Sequence, residues 1–268
     1  MAPPLQVAIF GCPRSGTSWL GQLFNAHEAV AYRYQPLFAY EFKDWFGERG
    51  VSEASLDAFG EALLGAQSDF VLQDLRPPKV QPLTHLVWKE VRYHALMPAL
   101  AALPALHKLI YLHRPALQVI NSWYQAPKEF RAGQDIHAEY LHAPSKNTDP
   151  CEYNGFNKWK ESLALALAVK ATHPDKVVFV AYDRLRADPR GQLASLFAEV
   201  GLNLTDQVRD FVAASTSQHD EDAYSVFRNR EAEITLPEGI VRHLRADAEA
   251  AELSARAEAS SIGPAKVG

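Results

Sequence analysis

Short apolar runs alternate with longer amphipathic stretches along this chain. Four runs, Val7–Phe10, Leu86–Trp88, Leu109–Leu112 and Val177–Val180, show no polar alternation. Unbroken apolar runs of that length suit strands buried on both faces, as in parallel sheets. Between and after them, Trp19–His27, Ala54–Leu64, Ala116–Tyr124, Phe156–Ala171 and Leu193–Val200 repeat their apolar residues at helical spacing. Ser52 stands where an N-cap would precede the second of these helices. Strands alternating with helices predict an α/β fold of three layers, a central mostly parallel β-sheet flanked by helices. Ligands of such sheets sit at the carboxyl ends of the strands. Gly11, Lys89, Arg114 and Tyr182 each follow one of the four runs, so they should converge on one cleft.

Two regions break the pattern. Gln125–Cys151 has little periodicity and contains Pro127, Gly133, Pro144 and Pro150; it reads as a long loop, either a lid over the site or a floppy insertion. Ile240–Ala257 reads as a last helix, fading into "SSIGPAKVG", a frayed tail. With no repeats and no linker, the expectation is a single domain over 1–268, its core about 5–230 and its C-terminal helix and tail 238–268.

Composition narrows the classes. The 268 residues are 47% apolar and 22% charged, with formal net charge -5, which argues against a dedicated nucleic-acid binder. No run approaches the ~20 apolar residues of a membrane span. The start, "MAPPLQVAIFG", lacks the basic segment of a secretory leader. The two cysteines, Cys12 and Cys151, suggest no disulfide framework, and a cytoplasmic setting is expected.

The first run feeds "GCPRSGTSWL". A strand, a tight turn and a helix N-terminus offer free backbone N–H groups and the positive end of the helix dipole, which together favour an anion. Gly11 and Gly16 permit close backbone approach, Ser15, Thr17 and Ser18 add hydroxyls, and Arg14 adds a fixed charged fork suited to phosphate or sulfate oxygens. A kinase-type phosphate loop would place Lys after the second glycine; here Thr17 follows Gly16 directly. No apolar run ends on a convincing metal-holding Asp, because Tyr182 intervenes before Asp183. Both absences point away from triphosphate hydrolysis.

"PRSGTSWL" resembles the 5′-phosphosulfate loop of sulfotransferases that use 3′-phosphoadenosine 5′-phosphosulfate (PAPS). "KLIYLHRPALQVINSWY" resembles that family's second motif, a strand followed by Arg114 and, eight residues later, Ser122. The resemblance implies the P-loop NTPase-like sulfotransferase fold and binding of the donor's 3′ phosphate by Arg114 and Ser122. It further implies adenine contacts from Trp19 and Tyr182, with Asp183 on the family's Glu. In "YSVFRN", Arg228 would correspond to a late arginine that helps to hold the 3′ phosphate. The stretches "SWLGQLFNAHEAVAYRYQPLFAY" and "VWKEVRYHALMPALAALPALHKLIYLHRP" are most similar to the carbohydrate branch, except that Gln35 stands where that branch has Glu.

The implied reaction moves a sulfuryl group from PAPS to a hydroxyl acceptor, a carbohydrate or another small alcohol, releasing adenosine 3′,5′-bisphosphate. Arg14 and the loop N–H groups would meet charge on the leaving phosphate, and Lys89 would stabilise the transferring sulfonate. The base would be Glu90, with His94 and Glu41 as alternatives; because neighbours on a strand point to opposite faces, Lys89 and Glu90 cannot both face the cleft. The donor would be held by Arg14, Ser15, Gly16, Thr17, Ser18, Trp19, Arg114, Ser122, Tyr182 and Arg228. No histidine spacing suggests a metal site. The aromatic run Tyr32 to Phe46 would wall the acceptor's side. The competing readings are a P-loop nucleotide kinase or NTPase and a non-catalytic nucleotide-binding relative that has lost its base.

Overall fold

The computed structural model describes residues 2–264 apart from 74, 76, 219, 221, 223 and 228–232. Its centre is a parallel sheet of five described strands: β1 (Leu5–Phe10), β2 (Val30–Tyr34), β3 (His85–Glu90), β4 (Leu106–His113) and β5 (Val177–Ala181). They lie in the order β2-β3-β1-β4-β5. The four apolar runs became β1, β3, β4 and β5. The edge strand β2, with the sequence VAYRY and a half-buried end, was not expected.

The described helices of six residues or more are α1 (Thr17–Asn25), α2 (Glu53–Leu64), α3 (Met97–Ala102), α4 (Ala116–Tyr124), α5 (Phe156–Thr172), α6 (Tyr182–Ala187), α7 (Pro189–Val200), α8 (Asp206–Ser217), α9 (Glu238–Ala246) and α10 (Ala248–Ser260). They form two layers, because successive side chains of each strand point to opposite faces. Val7, Ile9, Val87 and Ile110 pack against Leu20, Leu23 and Phe24 of α1 and against Leu193 and Phe197 of α7. Ala8, Phe10, Trp88 and Tyr111 pack on the other face against α2 through α5, with Phe59, Leu100, Ile120 and Leu163 among them. Both faces are dry, which is why the strands read as unbroken apolar runs.

The path from β1 to β2 moves one way across the sheet over the α1 layer. The paths β2 to β3, β3 to β4 and β4 to β5 move the opposite way over the other layer. Reversing both direction and face keeps one hand throughout, as right-handed crossovers require. The chain leaves β1 in one direction and β4 in the other, so their carboxyl ends flank the switch point where a crevice opens.

The C-terminal region departs from the expected single helix. Asp247 leaves helical geometry at ψ 108 and its carboxylate accepts from Ala250 N–H at 2.8 Å, so it ends α9 and caps α10. The expected frayed tail begins as structure, with Ile262 N–H donating to the Phe179 carbonyl of β5 at 3.0 Å. No described helix is long and apolar enough to cross a membrane.

Candidate active site

The loop after β1 is set by two glycines. A Cβ on Gly11 would lie 2.8 Å from the Leu112 carbonyl and from Ser15 Oγ, so the loop can lie against β4 only without a side chain there. Gly16 sits at φ +97, and a Cβ on it would come within 2.6 Å of the Tyr182 ring. Gly16 is also the N-cap of α1 and supplies no side-chain acceptor, which leaves the helix's first N–H groups for a ligand. Ser15 is buried, and both its N–H and its hydroxyl bond back to the Cys12 carbonyl, at 3.1 and 2.6 Å. It braces the loop from inside and does not face the cleft, which corrects its expected role as a donor contact. Cys12 lies beneath, buried, its thiol pushed up to about 11 by burial.

Arg14 occupies the left-handed region at φ 68. That twist turns its guanidinium along the cleft, where Nε donates to Ser122 Oγ at 3.2 Å and Nη1 pairs with the Glu129 carboxylate at 3.3 Å. Arg114, just past β4, donates from Nη1 to the Arg14 carbonyl at 2.9 Å and from Nε to Gln118 Oε1 at 3.0 Å. Its guanidinium lies 4.3 Å from the Tyr182 ring centroid, and burial lowers its pKa from the ordinary arginine value. Two motifs a hundred positions apart in the chain are therefore hydrogen-bonded to one another. Gln118 in turn donates to Asp183 at 3.0 Å. Trp19 meets the Tyr182 ring edge-on at 6.2 Å and donates from Nε1 to Ser215 of α8 at 3.2 Å.

Arg14, Trp19, Arg114, Ser122 and Tyr182 line a cleft of about 650 Å³ at the carboxyl edge of the sheet, together with Thr17, Ser18 and Gly16. At its centre Lys89 is buried, its ammonium 4.0 Å from the Tyr34 ring centroid. Burial lowers the Lys89 pKa, while the nearby lysine charge lowers that of Tyr34. A buried ammonium without a full counter-charge is costly, and an anion in the cleft would relieve that cost. The far end presents aromatic faces beside a charge: Phe70 packs edge-on against Tyr34 at 5.4 Å and against Phe38 at 5.7 Å, and Arg92 stacks 3.7 Å over Phe38. Of the expected aromatic wall, only Tyr34 and Phe38 face this space. Phe42 and Phe46 pack on Phe59 in the core, and Tyr40 is exposed.

Strand alternation decides between Lys89 and Glu90. Lys89 faces the cleft; Glu90 is fully buried on the other face, where Oε1 accepts from Leu37 N–H at 2.7 Å and burial pushes its pKa up to about 8. His94 is also fully buried, bonded through Nδ1 to Ser162 at 2.6 Å and stacked on Tyr153, and burial pushes its pKa down to about 3. Neither reaches the cleft, so both expectations of a base are corrected. Glu41 is exposed outside it. Gln35 lines the cleft with left-handed backbone at φ 40, its N–H donating to the Lys89 carbonyl at 2.8 Å. Arg228 lies outside the described residues.

Sequence reasoning did not single out Arg92, Lys128, Glu129, Lys146, Glu152, Arg186 or Tyr224, all of which line the cleft. Four of them belong to the expected loop or its immediate border. That segment is ordered: it includes the short helix Ile136–Glu139, and Asn147 ties it together through its amide to the His142 and Asn154 carbonyls at 2.7 and 2.8 Å. Among the described lining side chains, seven are cationic and only Glu129 and Glu152 are carboxylates, in a chain of net charge -5. Among the described residues, no group of His, Cys, Asp and Glu could hold a metal ion.

Comparison with known proteins follows the same line. The sulfotransferase family matches residues 4–206. Among curated proteins no sequence relative matches significantly. The sulfotransferase domain of the Synechococcus PCC 7002 olefin synthase is similar in structure at TM-score 0.54 and 17% identity, covering 98% of both chains. A sulfotransferase from Alicyclobacillus acidocaldarius is similar at TM-score 0.56 and 15% identity, over 97% of this chain and 96% of that one. Mouse sulfotransferase SULT7A1, solved in complex with PAP, is similar at TM-score 0.54 and 12% identity, over 95% of this chain and 90% of that one. At these identities the structures establish a shared fold, and the family match over residues 4–206 establishes kinship. The chain belongs to the sulfotransferase family of PAPS-dependent enzymes.

Proposed function

We propose that this cleft transfers a sulfuryl group from PAPS to the hydroxyl of a carbohydrate or another small alcohol. The observation that carries the reading is the joining of the two anion motifs: Arg14 bonds to Ser122, and Arg114 bonds to the Arg14 carbonyl. In this reading the uncapped N-terminus of α1 and Arg14 take the donor's 5′ phosphosulfate. Arg114 and Ser122 take the 3′ phosphate, and Trp19 and Tyr182 flank the adenine. The pKa direction at Lys89 supports a bound anion, since a lysine disfavoured as an ion by burial gains most from one.

The transfer is an in-line displacement at sulfur. The acceptor oxygen forms a bond to sulfur while the bond from sulfur to the 5′-phosphate oxygen breaks. Negative charge grows on that leaving oxygen, where the loop N–H groups and Arg14 await it. Lys89 faces the equatorial sulfonate oxygens from the side of β3. The exposed faces of Phe38 and Phe70 offer a shelf on which a sugar ring can lie.

Calorimetry with adenosine 3′,5′-bisphosphate in the absence of Mg²⁺ tests the donor site. The wild-type protein should bind it, and Arg114→Ala should weaken binding about 10- to 100-fold, as expected for a charge-assisted contact. Lys89→Met should leave that binding nearly intact and lower turnover of labelled PAPS by about 10²–10³. Equal bisphosphate affinity in wild type and Arg114→Ala sinks the site assignment. Dependence on Mg·ATP would favour a kinase, and tight bisphosphate binding with no sulfuryl transfer to any acceptor would favour a non-catalytic relative.

A further inference from the structure

We propose that Glu129 is the group that takes the proton from the acceptor hydroxyl. The assignment rests on the sulfuryl-transfer reading above.

Gln35 can accept a hydrogen bond but cannot take a proton at neutral pH, and Glu90 and His94 are sealed in the layer beneath the sheet. Two carboxylates remain among the described residues lining the cleft, Glu129 and Glu152. Glu152 is committed to the far end, paired with Arg92 at 2.9 Å and accepting from Asn154 at 3.4 Å, next to the Phe38 shelf. Glu129 lies beside the phosphosulfate loop. Its carboxylate is 3.3 Å from Arg14, and its charge is felt at both Lys89 and Tyr34. It therefore lies between the phosphosulfate loop and the buried lysine, where the reacting sulfur and the incoming oxygen must meet.

Its position is built. The turn after α4 is closed by Glu129 N–H and Phe130 N–H, which both donate to the Ala126 carbonyl, at 2.9 and 2.7 Å. The Phe130 ring anchors the turn edge-on against Trp123 at 5.4 Å and Tyr124 at 5.1 Å. One residue earlier, Lys128 N–H donates to the Tyr224 hydroxyl at 2.7 Å.

The pair with Arg14 gives the carboxylate a second state. Before the donor binds, Arg14 holds Glu129. Once the donor's phosphosulfate claims Arg14, the carboxylate is released beside the acceptor. The acceptor proton then passes to a Glu129 oxygen as the acceptor oxygen bonds to sulfur. The electron pair of the breaking bond departs with adenosine 3′,5′-bisphosphate, and Glu129 returns its proton to water.

The test uses the full chain as wild type, Glu129→Gln and Glu152→Gln. Adenosine 3′,5′-bisphosphate is titrated first. Wild type and Glu129→Gln should both bind it, the variant at least as tightly because no carboxylate competes for Arg14. Failure of wild type to bind defeats the donor reading itself, whereas loss of binding only in Glu129→Gln defeats the present assignment and makes Glu129 a builder of the donor site. Turnover of sulfur-labelled PAPS is then followed with glucose and with 4-nitrophenol, which is largely ionised near about pH 8.5 and needs no base. Glu129→Gln should lower kcat about 10²–10⁴-fold toward glucose and far less toward 4-nitrophenol, and the acid limb of the pH profile should disappear. Equal losses on both acceptors, no loss on either, or a greater loss in Glu152→Gln would overturn it.

Discussion

Gly16 is a residue on which two demands meet. It must adopt φ +97, and it must let the Tyr182 ring come to within 2.6 Å of where a Cβ would stand. Gly16→Ala meets neither demand, so it should cost about 2 kcal/mol from backbone strain and displace the tyrosine from the cleft wall. Thermal unfolding should show a drop of a few degrees, and bisphosphate affinity should fall at least about tenfold; an unchanged affinity would remove Tyr182 from the donor site. Arg14 is the complementary case, a side chain kept in the same left-handed region because its guanidinium is needed along the cleft. The loop, Arg114 and Ser122 were legible in the sequence because their chemistry depends on local spacing. Glu129, Lys146 and Glu152 were not, because tertiary contacts of an irregular segment deliver them to the cleft. Lys89 and Glu90 show how far one rule can reach: strand alternation stated that only one could face the ligand, and the cleft, which Lys89 lines and Glu90 does not, then decided which.

At the scale of elements, the buried parallel strands announced themselves, and β2 did not. An edge strand with Arg33 and a half-buried Tyr34 carries too little apolar signal to stand out from a loop. The break between α9 and α10 was hidden for a different reason, since an Ala- and Glu-rich sequence is helical on both sides and only the Asp247 cap reveals the join. The segment 125–151 was read as a loop from its prolines, yet its order comes from side chains. Asn147 accepts from Asn154 N–H at 3.0 Å in addition to its two donated bonds. Asn147→Ala removes these three and a fourth, from Asn154 Nδ2 at 3.3 Å, and should destabilise the segment by about 2–6 kcal/mol, at roughly 0.5–1.5 kcal/mol net for each bond. Hydrogen exchange should quicken across 128–152 while the amides of β1 and β4 stay protected, and sulfuryl transfer should slow because Glu129 and Lys146 are carried on that segment. Unchanged exchange would show that Phe130 and the short helix suffice to hold it.

For the whole molecule, the fold is a sheet sealed on both faces, and sealing has a titration signature. Glu90 keeps its proton up to about pH 8 in the folded protein but only to its ordinary value when unfolded. Between those values the native state binds the extra proton, so this group's contribution to stability is full at low pH and is lost as pH rises toward 8. His94 and His113, pushed down to about 3 and 4 by burial, act the other way: the unfolded chain takes up their protons first, so stability falls as pH drops below about 6.5. Melting temperature should therefore peak between these limits. Glu90→Gln should reduce the loss on the alkaline side and steepen the fall below about pH 6.5, where Glu90 otherwise opposes the histidines; an unaltered alkaline limb would mean that the buried carboxylate is not what titrates. The charge layout has a consequence of another kind. Cations are gathered in one cleft of a chain whose net charge is -5, so the remaining exterior is more negative than the total. A compact anion can enter the cleft whole and meet a net positive lining, whereas a long polyanionic chain must also lie across the repelling exterior. In the proposed reaction the body of the protein would then act as a sieve on molecular size, and short or uncharged acceptors should be turned over faster than long polyanionic ones.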